Sequence, residues 1–106
     1  MITVEIRKSG DSYAGFSSKG HAGYAEEGYD IICAAVSALT VNTINAIEQF
    51  TEDAFKAEAA DGMVRWKFTE LPISNEAKLL MDALVLGLEY IRESYGKKYI
   101  KIVKKA

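Results

Sequence analysis

The apolar residues of this chain change their period along its length, and those changes constrain the fold more than any other feature. Residues 2–8 alternate, with Ile2, Val4 and Ile6 on one side and Thr3, Glu5 and Arg7 on the other, as a half-buried strand does. Ser9-Gly10-Asp11 reads as a turn. Residues 12–18 then alternate again, with Ala14 and Phe16 on one side, so the two runs predict a hairpin. From Asp30 to Thr51 the period becomes helical: Ile32, Val36, Leu39, Thr43, Ile47 and Phe50 recur at three- and four-residue spacing behind an aspartate suited to cap the first turn. Residues 54–60 and 63–69 return to alternation around Asp61-Gly62, a strong hairpin signal. Phe55, Ala57 and Ala59 share one side of the first run, and Val64, Trp66 and Phe68 share one side of the second. After Pro72, Ser74 predicts the start of a second helix reaching Ser94, with Glu76 in its first turn and Gly96 as its C-terminal cap. Its stripe is Ala77, Leu80, Met81, Leu84, Leu88, Ile91 and Tyr95. Tyr99 to Lys104 forms the last strand, with Ile100 and Ile102 on one face.

The order β-β-α-β-β-α-β predicts an α+β two-layer sandwich, a five-stranded, largely antiparallel sheet with two helices. A chain of 106 residues has room for one core, so residues 1–106 are expected to form a single domain. Ile31, Ala35, Ala38 and Ala46 widen the apolar face of the first helix, which predicts packing against a partner subunit as well as the sheet.

Charge and cysteine usage exclude whole classes of function. The net charge of −2 argues against a protein that coats DNA. One cysteine and one histidine allow no intrachain disulfide and no Cys- or His-rich metal site, so no metal and no cofactor is expected. A lone thiol fits a reducing compartment, and with no leader-like or membrane-length apolar run the expected location is cytoplasmic. Residues 1–60 carry 4 basic against 9 acidic side chains, and residues 61–106 carry 9 against 6. Much of that basic excess lies in Lys97, Lys98, Lys101, Lys104 and Lys105, read first as protection of an edge strand and second as a contact for RNA or an acidic partner.

The chemically informative stretch runs from Gly20-His21 to Cys33. Residues 19–29 hold three glycines with no clear period and predict a long loop that carries the only histidine. The only cysteine falls three residues after the Asp30 cap, in the first helical turn. Free N–H groups and the positive end of the helix dipole favour a thiolate there. A neighbouring imidazole can take its proton, and backbone N–H groups, those of Cys33 and Ala34 first, can hold an oxyanion. Ser37 lies one turn further on the same helix face. Each residue also has a plainer role: Cys33 as a core filler, His21 as a surface loop residue, Asp30 as a cap only, and Ser37 as a small packing residue. Trp66 and Phe68 beside Arg65 and Lys67 suggest either core packing or a base-stacking sheet, and their shared face with Val64 favours the core.

Gly20-His21-Ala22, followed after a gap by Asp30-Ile31-Ile32-Cys33-Ala34-Ala35-Val36-Ser37, resembles the ribosomal-processing cysteine protease family, Prp, and the element order fits that family from end to end. The resemblance implies a bacterial endopeptidase that removes the short N-terminal extension of one large-subunit ribosomal protein, number twenty-seven, after an aromatic-rich motif. It also implies a homodimer. It puts the nucleophile on Cys33 and the general base on His21, with Gly20, Asp30 and Ser37 in support. Tyr24 and Tyr29 are candidates to pack against the substrate's aromatic side chain. Two other readings compete: a ribosome-assembly module that binds RNA or a ribosomal protein without catalysis, and a regulatory thiol domain, which lacks a resolving cysteine.

Overall fold

A computed structural model describes residues 1–21, 30–95 and 97–106. The strands are β1 (Ile2–Ser9), β2 (Ser12–Lys19), β3 (Phe55–Ala60), β4 (Met63–Phe68) and β5 (Ile100–Lys105); the helices are α1 (Ile31–Phe50) and α2 (Asn75–Tyr95). The element order matches the expectation, and the five strands form one mixed sheet in the order β3-β4-β2-β1-β5. All neighbours are antiparallel except β1 and β5, which run parallel because α2 carries the chain across the sheet between β4 and β5. The expected Gly96 cap lies outside the described residues.

One sheet face carries both helices and the core. Ile2, Val4 and Ile6 of β1 lie beside Phe16 of β2, Trp66 and Phe68 of β4 and Ile100 of β5. Trp66 stacks on Phe16 with ring centroids 4.5 Å apart, so the aromatic pair of β4 is core and not a base-stacking surface. From above, Ile32, Val36 and Ile47 of α1 and Ala77, Met81, Leu84 and Leu88 of α2 close the layer. Thr40 and Thr43 enter this apolar stripe at little cost, since each hydroxyl donates to the carbonyl four residues back, Val36 at 3.0 Å and Leu39 at 2.7 Å. Gly87 lets the helices approach, because a Cβ there would sit 2.9 Å from Leu39 Cδ1. By length and composition alone α1 would also pass for a membrane span, yet its stripe of Ile32, Val36, Thr40, Thr43 and Ile47 is buried within the fold.

Three details depart from the sequence reading. The pairing of β1 with β2 shifts at Arg7/Lys8, where Arg7 faces Gly15 but Lys8 faces Tyr13. The extra residue, Ala14, flips the phase of β2, so Tyr13 rather than Ala14 joins Phe16 and Ser18 in the buried set. Burial raises the Tyr13 hydroxyl's pKa, and its bond to the Asp82 carboxylate raises it further and ties β2 to α2. Phe50, at the end of α1, and Tyr95, at the end of α2, are exposed instead of buried, because each lies at a helix end. Ala57 and Ala59 are exposed as well, because β3 is an edge strand.

Candidate active site

The first turn of α1 is built around one carboxylate. Asp30 is extended (φ −79, ψ 98) and caps the helix, its Oδ1 accepting from the N–H groups of Ile32 and Cys33 at 3.0 Å each. Its Oδ2 lies 3.3 Å from Cys33 Sγ, with the sulfur as donor. The arrangement therefore sets the Asp30 carboxylate against both the N–H and the sulfur of Cys33.

The two N–H groups expected to receive an oxyanion are occupied in this conformation. Cys33 N–H is taken by the Asp30 side chain, and Ala34 N–H donates to the Asp30 carbonyl at 3.1 Å, the first bond of the helix. The physical reason is that a helix start with a good cap spends its donors on that cap.

His21 reaches the same place from the opposite side of the chain's path. It follows β2, whose end is held by a bond from Gly20 N–H to the Gly62 carbonyl at 2.8 Å. The Met1 amino group donates to the His21 carbonyl at 2.6 Å. Gly20 has φ +102, and a Cβ on it would lie 2.5 Å from the Met1 carbonyl oxygen, so this position excludes any side chain. The β3–β4 hairpin turn completes the seat: at Gly62 (φ +69) a Cβ would come within 2.9 Å of His21 Nε2. The sequence reading took Asp61-Gly62 only as a hairpin signal and missed its role as the floor under the imidazole. A positive-φ glycine beside the histidine-bearing strand is visible only once β2 and β4 are known to pair.

Cys33, His21, Gly20 and Ser37 line one cleft of roughly 200 Å³ together with Gly62 and Thr40. Cys33 is half-buried at its wall, and His21 is exposed at its rim. Among the described residues no hydrogen bond joins His21 to Cys33, and none joins the Ser37 hydroxyl to the sulfur. The chemical capacity of the cleft is that of a thiol nucleophile with an imidazole nearby and a helix N-terminus beneath it. Tyr24 and Tyr29 lie outside the described residues.

Comparison with known proteins gives the family and the fold. The family model for the cysteine protease Prp matches residues 1–101. The ribosomal processing cysteine protease Prp of Bacillus subtilis (strain 168) is 31% identical over 101 residues, covering 90% of each chain. That of Staphylococcus aureus (strain Mu50) is 29% identical over 99 residues, 92% of this chain and 93% of the relative. Among solved structures, S. aureus Prp in complex with a covalently linked product peptide superposes with a TM-score of 0.91 at 29% identity, covering 99% of this chain and 100% of that one. The same protease with a substrate peptide gives a TM-score of 0.85 at 28% identity, with the same coverage.

Proposed function

Because this chain belongs to the cysteine protease Prp family, we propose that it is a cytoplasmic endopeptidase that removes the N-terminal extension of large-subunit ribosomal protein number twenty-seven after an aromatic-rich motif. The observation that carries this reading is the convergence of Cys33, from a helix start, and His21, from a strand end, on one cleft. In the proposed reaction His21 takes the Cys33 proton and the sulfur attacks the scissile carbonyl. The resulting imidazolium then protonates the leaving amine, and water hydrolyses the thioester. Asp30 has to let go of the thiol first. Since the same carboxylate holds Cys33 N–H, its release frees the nucleophile and an oxyanion donor in one movement.

A homodimer fits the helical layer. Leu79, Leu86 and Tyr90 of α2 follow one another along its outer face, and Val41 is exposed on α1, all more than two-fifths accessible. A second copy covering this face would bury the exposed apolar surface. Light scattering on the purified protein tests the dimer, and Leu86→Glu is expected to give monomers.

The test of the function is cleavage of a peptide spanning the extension of the organism's own ribosomal protein, followed by mass spectrometry. A single cut after the aromatic motif by the parent, with none by Cys33→Ala, is the expected result. No cut by either protein, with Cys33 inert to alkylation in the folded state, would return Cys33 to a packing role.

A further inference from the structure

The sheet face turned away from the helices has a charge pattern that folding does not call for. Strand pairing sets Lys56, Lys67, Gly15, Arg7 and Lys105 in one row across all five strands, in the order β3-β4-β2-β1-β5. The four cations of that row are exposed. Lys56 stands directly opposite Lys67, and Arg7 directly opposite Lys105; like charges at such cross-strand positions are destabilising. Lys105 pairs with Glu5 at 2.8 Å, and Arg7 acts on the same carboxylate without an ion-pair contact. Among the described residues Arg7, Lys56 and Lys67 form no ion pair. Gly15, at the middle of the row, leaves a gap that no side chain can fill, since a Cβ there would lie 2.9 Å from the Trp66 carbonyl oxygen. The result is a shallow trough of roughly 540 Å³ lined by Arg7, Lys56 and Lys67, with Glu5 and Glu58 also on its wall, each ion-paired, to Lys105 and Arg65 respectively.

We propose that this trough binds the phosphate backbone of RNA, with Arg7, Lys56 and Lys67 as the contacting cations. A protein partner fits less well, because the row offers no aromatic or apolar anchor for the centre of an interface. The same absence makes the contact independent of base sequence, since phosphate contacts position a protein without reading bases. RNA rather than DNA is chosen on the strength of the ribosomal-processing reading. The cleft opens at the Ile2 end of β1, and the row crosses the strand at Arg7, roughly 17 Å further along at about 3.3 Å per residue and on the opposite sheet face. Bound RNA therefore leaves the cleft open, and the trough would hold the enzyme on an RNA-rich particle while a peptide enters elsewhere.

The experiment is fluorescence anisotropy with a labelled RNA hairpin of about 20 nucleotides, titrated between about 50 and about 200 mM KCl. The parent is expected to bind with a steep salt dependence. The triple variant Arg7→Gln/Lys56→Gln/Lys67→Gln is expected to lose roughly tenfold or more in affinity at the lowest salt and to flatten the log–log salt slope by about 2 to 3. It should cleave a free peptide as the parent does, which separates failure of the RNA contact from failure of the protease reading. A control, Lys97→Gln/Lys98→Gln, should bind as the parent does. Three outcomes would overturn the proposal: no salt-dependent binding by the parent, unchanged binding by the triple variant, or displacement of RNA by poly-L-glutamate at equal charge concentration. Tighter binding to a DNA hairpin of the same sequence would overturn the choice of RNA.

Discussion

The two helix starts of this protein use similar parts for different ends. At α1 the cap is the carboxylate itself: Asp30 receives two backbone N–H groups and the Cys33 thiol. At α2 the cap is a hydroxyl, Ser74, which accepts from Ala77 N–H at 3.1 Å. A carboxylate stands one step behind it, Asp53, which receives both the N–H and the hydroxyl of Ser74 and ties the end of α1 to the start of α2. The residues three positions into each helix make the contrast plain. Ala77 is fully buried in the core, whereas Cys33 is half-buried on a cleft wall. A cap braced from behind is structural. A cap whose carboxylate also touches a sulfur at a cleft has, in the proposed mechanism, a second part to play.

The contrast predicts its largest effect in thiol access. In a Cys33→Ala background, Ala77→Cys should react with iodoacetamide on the order of 10³-fold more slowly than Cys33 does in the parent, because a buried thiol reacts only after the protein opens. Equal rates, read by intact mass against time, would erase the distinction between the two starts. The next effect concerns the element that only α1 has. His21→Asn should lower kcat/KM for the peptide by roughly 10²- to 10⁴-fold with the melting temperature unchanged, since the side chain is exposed. Gly62→Ala attacks the same element from below, by driving a methyl group into the imidazole at a positive-φ position. It should cost about 1 kcal/mol in denaturant unfolding and reduce cleavage as well.

Much of this contrast was legible in the sequence, and the missing parts share a cause. The periods of Ile2-Val4-Ile6 and of Ile32-Val36-Ile47 mark their elements because local burial dictates local pattern. Asp30 as cap and Cys33 in the first turn follow from three residues of spacing. What stayed hidden depends on pairing between distant segments. The parallel match of β5 with β1, the seat that Gly62 makes for His21 and the row of cations around Gly15 all require the strand order. The bulge at Ala14 was hidden for another reason: both of its registers place acceptable residues, Ala14 or Tyr13, on the core side, and the bond from Tyr13 to Asp82 belongs to the register with Tyr13 inside. The occupied N–H groups of Cys33 and Ala34 were missed because a free helix start was assumed where a good cap was already in place.

Moderate effects separate the caps themselves. Ser74→Ala should cost about 1 kcal/mol by urea unfolding and leave cleavage unchanged. Asp30→Asn keeps a capping oxygen, so stability should move by only a few tenths of a kcal/mol, while the pH dependence of kcat/KM shifts because the thiol has lost a charged acceptor. Should Asp30→Asn behave like Ser74→Ala, with stability lost and the pH profile unmoved, Asp30 would be a cap and nothing more.

The smallest effect is an acid-stability difference at the braced start. Burial works to raise the Asp53 pKa, but the bonds from the Ser74 hydroxyl and N–H and from Thr51 outweigh it, and the net shift is downward. A carboxyl depressed in the folded state binds fewer protons there than in the unfolded chain at moderately acid pH. Its contribution is therefore complete at neutral pH and is lost as pH falls below the ordinary aspartate range, about 3.9, toward the folded value. Asp82 is depressed as well, chiefly by the Tyr13 hydroxyl, so the parent's acid slope has more than one source. The difference between the parent and Asp53→Asn, measured as urea midpoints from neutral pH downward, isolates Asp53. The gap should be widest at neutral pH and close in acid. A gap that stays constant would mean that Asp53 braces Ser74 by its shape and hydrogen-bonding oxygens alone, and that its charge is not what distinguishes the two helix starts.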